Sequence, residues 1–194
     1  MATETYVTPV AFEGYVITAT VTSSGKAVED WIQEIYSSYH RLLHKLIVGL
    51  DVEWRPSYSR VQNRVALLQL CVGRHCLIFQ LLHADYIPEA LEEFLDDPDF
   101  RFVDVGVQDD ADRLSQDHDV DVANTEDLRQ LAADGFHMPA LRQSVMGANL
   151  QKPHRVRMGP WDASCLSQEQ IEYACIDAFV SFEIGRKLLT GDYP

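Results

Sequence analysis

The stretch Ile47-Val48-Gly49-Leu50-Asp51-Val52-Glu53-Trp54 decides the fold. An apolar run enters it, and two carboxylates stand inside it, two positions apart. Side chains alternate along a strand with period two, so Asp51 and Glu53 share one face while Leu50 and Val52 share the other. Two carboxylates on one face of a buried strand repel each other and resist desolvation unless positive charge sits between them. Carboxylate oxygens suit hard divalent cations, so a metal is one reading of the pair. The other is a solvated edge whose acids face Arg55 and Arg60 in the following loop. The rest of the chain has to separate the two.

Outward from this strand, Pro56 to Asn63 is a polar loop, Arg64 to Val72 a second apolar strand, Gly73-Arg74 a turn and His75 to Gln80 a third strand. Residues 46–80 therefore read as a three-stranded antiparallel meander. Upstream, residues 5–22 read as two strands about Glu13-Gly14. Residues 27–44 read as a helix with Val28, Trp31, Ile32, Ile35, Tyr39 and Leu42 on one side. His40 and His44 stand four apart on it, but without an H-E-x-x-H frame they read as ordinary surface or interface residues. Downstream, Pro88 opens a helix to Leu95. Residues 100–107 read as a fourth strand, about 109–116 as a helix, and 119–123 as a short strand. Two helices follow, over 128–133 and from Pro139 to about Val145. A long helix from about Ser167 to Leu189 comes last, opened by the capping box Ser167-x-x-Gln170. A meander followed by alternating helix and strand predicts an α/β fold: one mixed sheet with helices on both faces, in a single domain over residues 1–194.

Composition bounds the function. A length of 194 residues with 46% apolar residues suits one domain with a single core. The net charge of −14 argues against broad, sequence-blind grip on nucleic acid, though not against a narrow site where metals neutralise phosphates. Cys71, Cys76, Cys165 and Cys175 match no zinc spacing and read as free thiols, three of them buried, in a reducing compartment. No basic leader and no 18-residue apolar run is present, so an intracellular, cytoplasmic protein with no membrane contact is expected, the nucleus remaining open.

Two further acidic sites and one basic cluster carry chemistry. Asp109, Asp110 and Asp112 open the helix after Gly106. There they are placed for a site beside the sheet, and equally they favour the helix N-terminus. Tyr173 and Asp177 lie four apart, on one face of the last helix. A buried Asp needs a partner, and a Tyr–Asp hydrogen bond at the helix surface would serve. Lys152, His154, Arg155 and Arg157 form the one basic cluster of an acidic chain.

Taken in order, D-x-E, then D, then Y-x-x-x-D, these residues resemble the DEDD superfamily of 3′–5′ exonucleases on the ribonuclease H-like fold. The likeness is to its tyrosine branch, and within that to the Werner-type exonuclease domain. It is carried by Val48 to Trp54, Val65 to Cys71, Gly106 to Leu114, Trp161 and Leu166 to Ala178, and covers about residues 46–190. The N-terminal strands and helix are then additions to the family's core. The resemblance implies that Asp51 and Glu53 form the first motif, Asp110 the second, with Asp109 as the alternative, and Tyr173 and Asp177 the third. Glu172 stands where the histidine branch carries its His.

It also implies two Mg²⁺ or Mn²⁺ ions about 3.5–4 Å apart. Asp51 would bridge them. Glu53 and Asp177 would hold the ion carrying the attacking water, Asp110 the other through water, and Tyr173 would orient or deprotonate that water. Leu50 and Trp54 flank such a site as substrate-binding residues. Trp54 either stacks on the terminal base or packs under the 55–63 loop. Lys152, Arg155 and Arg157 either hold the backbone upstream of the scissile phosphate or form a solvated loop or subunit contact. The substrate implied is single-stranded RNA or DNA. The chain looks most similar to the small stand-alone plant members, which include exoribonucleases that associate with Argonaute and clear RISC cleavage fragments, some as ring-shaped hexamers. On that likeness an RNA substrate, a homo-oligomer and an Argonaute partner are expected. A Werner-type DNA exonuclease is the alternative, and a non-catalytic adaptor would be marked by a missing carboxylate. Two positions depart from the pattern: Asp109, and Asp104 inside the fourth strand, where a small or apolar residue is expected. Asp109 would add negative charge beside the metals; either departure would modulate rate, and neither removes a ligand.

Overall fold

The computed structural model describes residues 4–135 and 154–190. Strands β1 (Thr5–Phe12) and β2 (Tyr15–Thr22) form an antiparallel hairpin. Helix α1 (Gly25–Ser38) follows, its N-terminus capped by Ser24, which accepts from the Ala27 N–H. The apolar stripe predicts that α1 runs to residue 44, but it stops at Ser38. Tyr39 leaves the helical region, its hydroxyl 3.5 Å from the Val72 carbonyl, and a 3-10 turn over Leu43–Lys45 feeds the chain back into the sheet.

The meander is found as expected: β3 (Ile47–Glu53), β4 (Leu67–Val72) and β5 (His75–Gln80). Antiparallel register sets Asp51 opposite Gln69. Helix α2 (Glu89–Leu95), strand β6 (Arg101–Asp104), helix α3 (Val107–His118), strand β7 (Thr125–Asp127) and helix α4 (Leu128–Gly135) come next. One turn of helix, α5 (His154–Arg157), precedes the long α6 (Gln168–Thr190). The capping box at its start is reciprocal. The Ser167 N–H donates to Gln170 Oε1 at 3.0 Å, and the Gln170 N–H donates to Ser167 Oγ at 3.2 Å.

The strands join one mixed sheet of order β1-β2-β5-β4-β3-β6-β7. β3 is antiparallel to β4 and parallel to β6. With the N-terminal hairpin set aside, β3 is the middle of the remaining five strands. One face of the sheet, through Leu50, Val52, Leu68 and Leu70, packs with α1 and α2 residues such as Trp31 and Phe94. The other, through Leu67, Cys71 and Ile78, packs with Ala174, Ala178 and Phe182 of α6.

Two further expectations move. The fourth strand ends at Asp104 rather than residue 107, because Gly106 takes φ 81 and turns the chain into α3. The short strand expected over 119–123 lies instead at Thr125–Asp127. The Asp-Val alternation there imitates strand period, but Asp119 (φ 56) ends α3 and Val120 is buried behind it. The helix expected from Pro139 lies outside the described residues. All four cysteines are free, with Cys71, Cys76 and Cys175 buried as expected. Among the described residues no helix is long and apolar enough to cross a membrane.

Candidate metal-binding active site

Parallel strands β3 and β6 end at the same edge of the sheet, and sites in open α/β sheets form outside such carboxyl ends. A cavity of about 410 Å³ lies there. Its acidic lining is Asp51 and Glu53 from β3, Asp104 from the end of β6, Asp110 from the first turn of α3, and Asp177 from α6. Tyr173 joins them. Carboxylate oxygens of Asp51, Glu53 and Asp177 lie within 4.8 Å of one another, and so do those of Asp51, Asp104 and Asp110. Asp51 belongs to both sets.

Local rules explain each placement. Period two brings Asp51 and Glu53 to the α6 side of β3. Gly49, on that same side, lets α6 come close: a Cβ there would sit 2.1 Å from the Ala178 carbonyl oxygen and 2.8 Å from the Phe182 nitrogen. That approach sets Asp177 over the strand. The Gly106 turn swings Asp110 back toward the same edge. Along α6, Tyr173, Asp177 and Ser181 form one row at four-residue spacing, and all three line the cavity.

The electrostatics are severe. Asp51 is held well above the usual carboxylate range by burial first, then by the charges of Asp104, Glu53, Asp177 and Asp110. Its Oδ1 accepts from the Val52 N–H at 2.8 Å. The Ser181 hydroxyl donates to Asp104 Oδ1 at 2.5 Å. Tyr173 packs on the fully buried Trp161, ring centroids 5.6 Å apart. The Trp161 indole N–H donates to the Arg157 carbonyl at 3.1 Å, which ties α5 to this wall. Oxygen-only donors at this density suit a hard divalent cation such as Mg²⁺ or Mn²⁺.

Of the residues singled out by sequence, Asp51, Glu53, Asp110, Tyr173 and Asp177 meet in this one cavity. Asp109 is exposed and is not among the residues lining the cavity, whereas Asp110 is. Trp54 lines the cavity while also packing on the core, and the Arg113 guanidinium sits 4.0 Å from its ring centroid. Leu50 is a correction: it is 0% exposed and lies in the α1–α2 core, on the face that period two assigns it, and it is not among the residues lining the cavity. Arg157 lines the cavity, whereas Arg155 pairs with Glu169 on the surface. Lys152 lies outside the described residues. Sequence reasoning gave Asp104 no ligand role and passed over Ser181 and Arg113. Ser181 was within reach, since the Tyr173–Asp177 spacing carried one step further lands on it.

A mixed sheet with an acidic crevice at the carboxyl ends of its strands defines a class of α/β proteins whose site could hold divalent cations. Residues 20–190 match the family model of the 3′–5′ exonuclease domain, and the chain belongs to that family, the DEDD-type exonucleases of ribonuclease H-like fold. It is 32% identical over 150 residues to a 3′–5′ exonuclease of Arabidopsis thaliana, covering 73% of this chain and 52% of that protein. It is 30% identical over 150 residues to the bifunctional 3′–5′ exonuclease/ATP-dependent helicase WRN of Mus musculus, covering 73% of this chain and 11% of that one. The chain thus spans about half, or less, of the relatives it matches. Among solved structures, Escherichia coli RNase D shares the fold, with TM-score 0.69 at 18% identity over 88% of this chain and 44% of that one. The EXD2 exonuclease domain soaked in Mn and GMP matches with TM-score 0.52 at 25% identity, over 89% of this chain and 90% of that one.

Proposed function

We propose that this chain is a metal-dependent exonuclease that removes nucleotides from the 3′ end of a single strand, with RNA favoured over DNA. The observation that carries it is the shared cavity: Asp51 stands in two carboxylate sets, each within 4.8 Å, beside Tyr173. The EXD2 crystals soaked in Mn and in Mg support the choice of ion. Two such ions, held by Asp51, Glu53, Asp110 and Asp177, would supply a Lewis acid for the scissile phosphoryl group and would lower the pKa of an attacking water.

The residues do the rest. Glu53 and Asp177, with Asp51, hold the side of the site under Tyr173. Asp110, with Asp51, holds the side nearer β6. The Tyr173 hydroxyl orients the nucleophile, and its packing on Trp161 fixes the ring for that task. Trp54 offers an aromatic wall to the terminal base, which needs no base preference. Arg157, a cation in the lining of the cavity, meets a phosphate.

RNA preference rests on the likeness to the small plant exoribonucleases. The same likeness supports a homo-oligomer that works beside an Argonaute protein on cleavage fragments, and light scattering at the protomer mass of 22.0 kDa would overturn the oligomer. Free buried thiols suit a reducing compartment such as the cytoplasm. The test of function is a time course on matched RNA and DNA oligonucleotides, labelled at the 5′ end, with Mg²⁺, Mn²⁺ or EDTA. A ladder descending from the 3′ end, faster on RNA and absent in EDTA, is expected. A ladder that survives EDTA overturns the metal, one that ascends overturns the polarity, and a faster DNA ladder moves the substrate to the Werner-type alternative.

A further inference from the structure

Building on that metal-dependent reading, we propose that Asp104 is a fifth metal ligand, positioned by Ser181, that lets the site hold its second divalent ion before any nucleic acid arrives.

The placement of Asp104 runs against the local pattern. Phe102, two residues earlier on β6, faces the α1–α2 core, and period two sends Asp104 the same way. β6 ends at Asp104, however, and the side chain turns into the cavity toward α6. Ser181 holds it there through the hydrogen bond to Oδ1. A hydroxyl carries no charge, so it fixes the direction of the carboxylate without neutralising it.

The cavity it enters already holds four other carboxylates, and among the described lining residues Arg157 is the sole cation. Aiming a further acid into that field is costly unless cations are present to meet it.

Coordination gives the same answer. Mg²⁺ takes about six oxygen ligands and usually keeps several waters. With only Asp51 and Asp110 on the β6 side, an ion there depends on water and on the substrate phosphate to complete its shell. Asp104 brings a third carboxylate within 4.8 Å of both. That side becomes a site in its own right, and ion binding no longer waits for substrate.

The test is Mn²⁺ binding to metal-stripped, nucleic-acid-free protein, followed by isothermal titration calorimetry and by the free-Mn²⁺ electron paramagnetic resonance signal. The wild-type chain is expected to bind two Mn²⁺. Asp104→Asn, nearly isosteric, should keep the first and weaken the second at least tenfold. Ser181→Ala leaves every carboxylate in place and should weaken the second ion severalfold through lost positioning alone. Circular dichroism reports whether each variant folds, and Ser181→Ala carries the test if Asp104→Asn does not. Two unchanged affinities in Asp104→Asn, or one ion only in the wild type, overturn the proposal while leaving the exonuclease reading standing. Mn²⁺ binding that is indifferent to Asp51→Asn overturns the metal site itself.

Discussion

Asp51 carries two duties that pull in opposite directions. It bridges both carboxylate sets, yet burial and four neighbouring acids disfavour its ionised form. Asp51→Asn keeps an oxygen for the Val52 N–H and removes the charge. It should lower metal-dependent trimming by about 10³-fold, on the scale of losing a key electrostatic group. Thermal unfolding in EDTA should stay at or above the wild-type temperature, because crowding is relieved. Trimming close to the wild-type rate would sink the site. Tyr173→Phe keeps the ring against Trp161 and loses only the hydroxyl. Turnover should fall about 10²-fold with little change in KM, and an unchanged rate would remove Tyr173 from the reaction. At this scale the sequence was legible wherever one spacing rule held along an unbroken element. Asp51 and Glu53 followed period two, and Tyr173 and Asp177 followed the helical turn. Asp104 escaped because its strand stops at that residue and the parity rule stops with it. Leu50 shows the converse: parity alone turned it inward, and adjacency to Asp51 in the chain was a poor guide to adjacency in space.

The elements hold the site together through two junctions. The first is β3 against α6 at Gly49, where any Cβ meets backbone rather than a movable side chain. Gly49→Ala must push α6 outward and carry Asp177 with it. A stability loss of about 1–3 kcal/mol is expected by urea denaturation, as for overpacking elsewhere. Mn²⁺ affinity should fall in the same variant. Wild-type stability and affinity together would show that the junction yields freely. The second junction ties the end of the 54–66 loop to α3. The Val65 N–H donates to Asp117 Oδ2 at 2.8 Å, and His118 Nε2 lies 2.7 Å from the Val65 carbonyl. Arg113 donates to the Asn63 carbonyl at 2.5 Å while covering Trp54. Burial, with the nearby Arg64 charge, holds His118 below the ordinary imidazole value. Its contribution to stability is therefore full above an unfolded value of about 6.5 and is lost as pH falls through the lower folded one. Between about pH 7.5 and 5, urea midpoints should drop more in the wild type than in His118→Gln, with the other titrating groups cancelling in the difference. Parallel curves would show that His118 does not titrate in this range. Most elements were legible because hydrophobic period marks a strand or helix of six residues or more. The end of α1 and the three-residue β7 were not, since tertiary pairing decides them: Tyr39 against the Val72 carbonyl, and Phe102 donating to the Asn124 carbonyl at 2.9 Å.

At the scale of the molecule, the proposed function asks a chain of net charge −14 to admit a polyanion. On that reading the fold would reconcile the two by confining contact to one crevice where bound cations would offset the acids, with Arg157 in its lining and Arg155 drawn off to Glu169. Phosphate binding through bound ions and one or two guanidinium groups releases few counterions. A basic groove with six to ten phosphate contacts loses about 10³–10⁵ in affinity between about 50 and 200 mM salt. Here the remote acidic surface repels the strand, and added salt screens that repulsion while weakening the few attractive contacts. The two effects oppose each other. Over the same salt range at saturating Mg²⁺, kcat/KM on a single-stranded oligonucleotide should change by less than about tenfold. Arg157→Ala should flatten the dependence further, or invert it so that salt speeds the reaction. A fall of about a thousandfold in the wild type would mean that an extended basic path exists elsewhere on the chain, and that the strand is gripped far beyond the cavity.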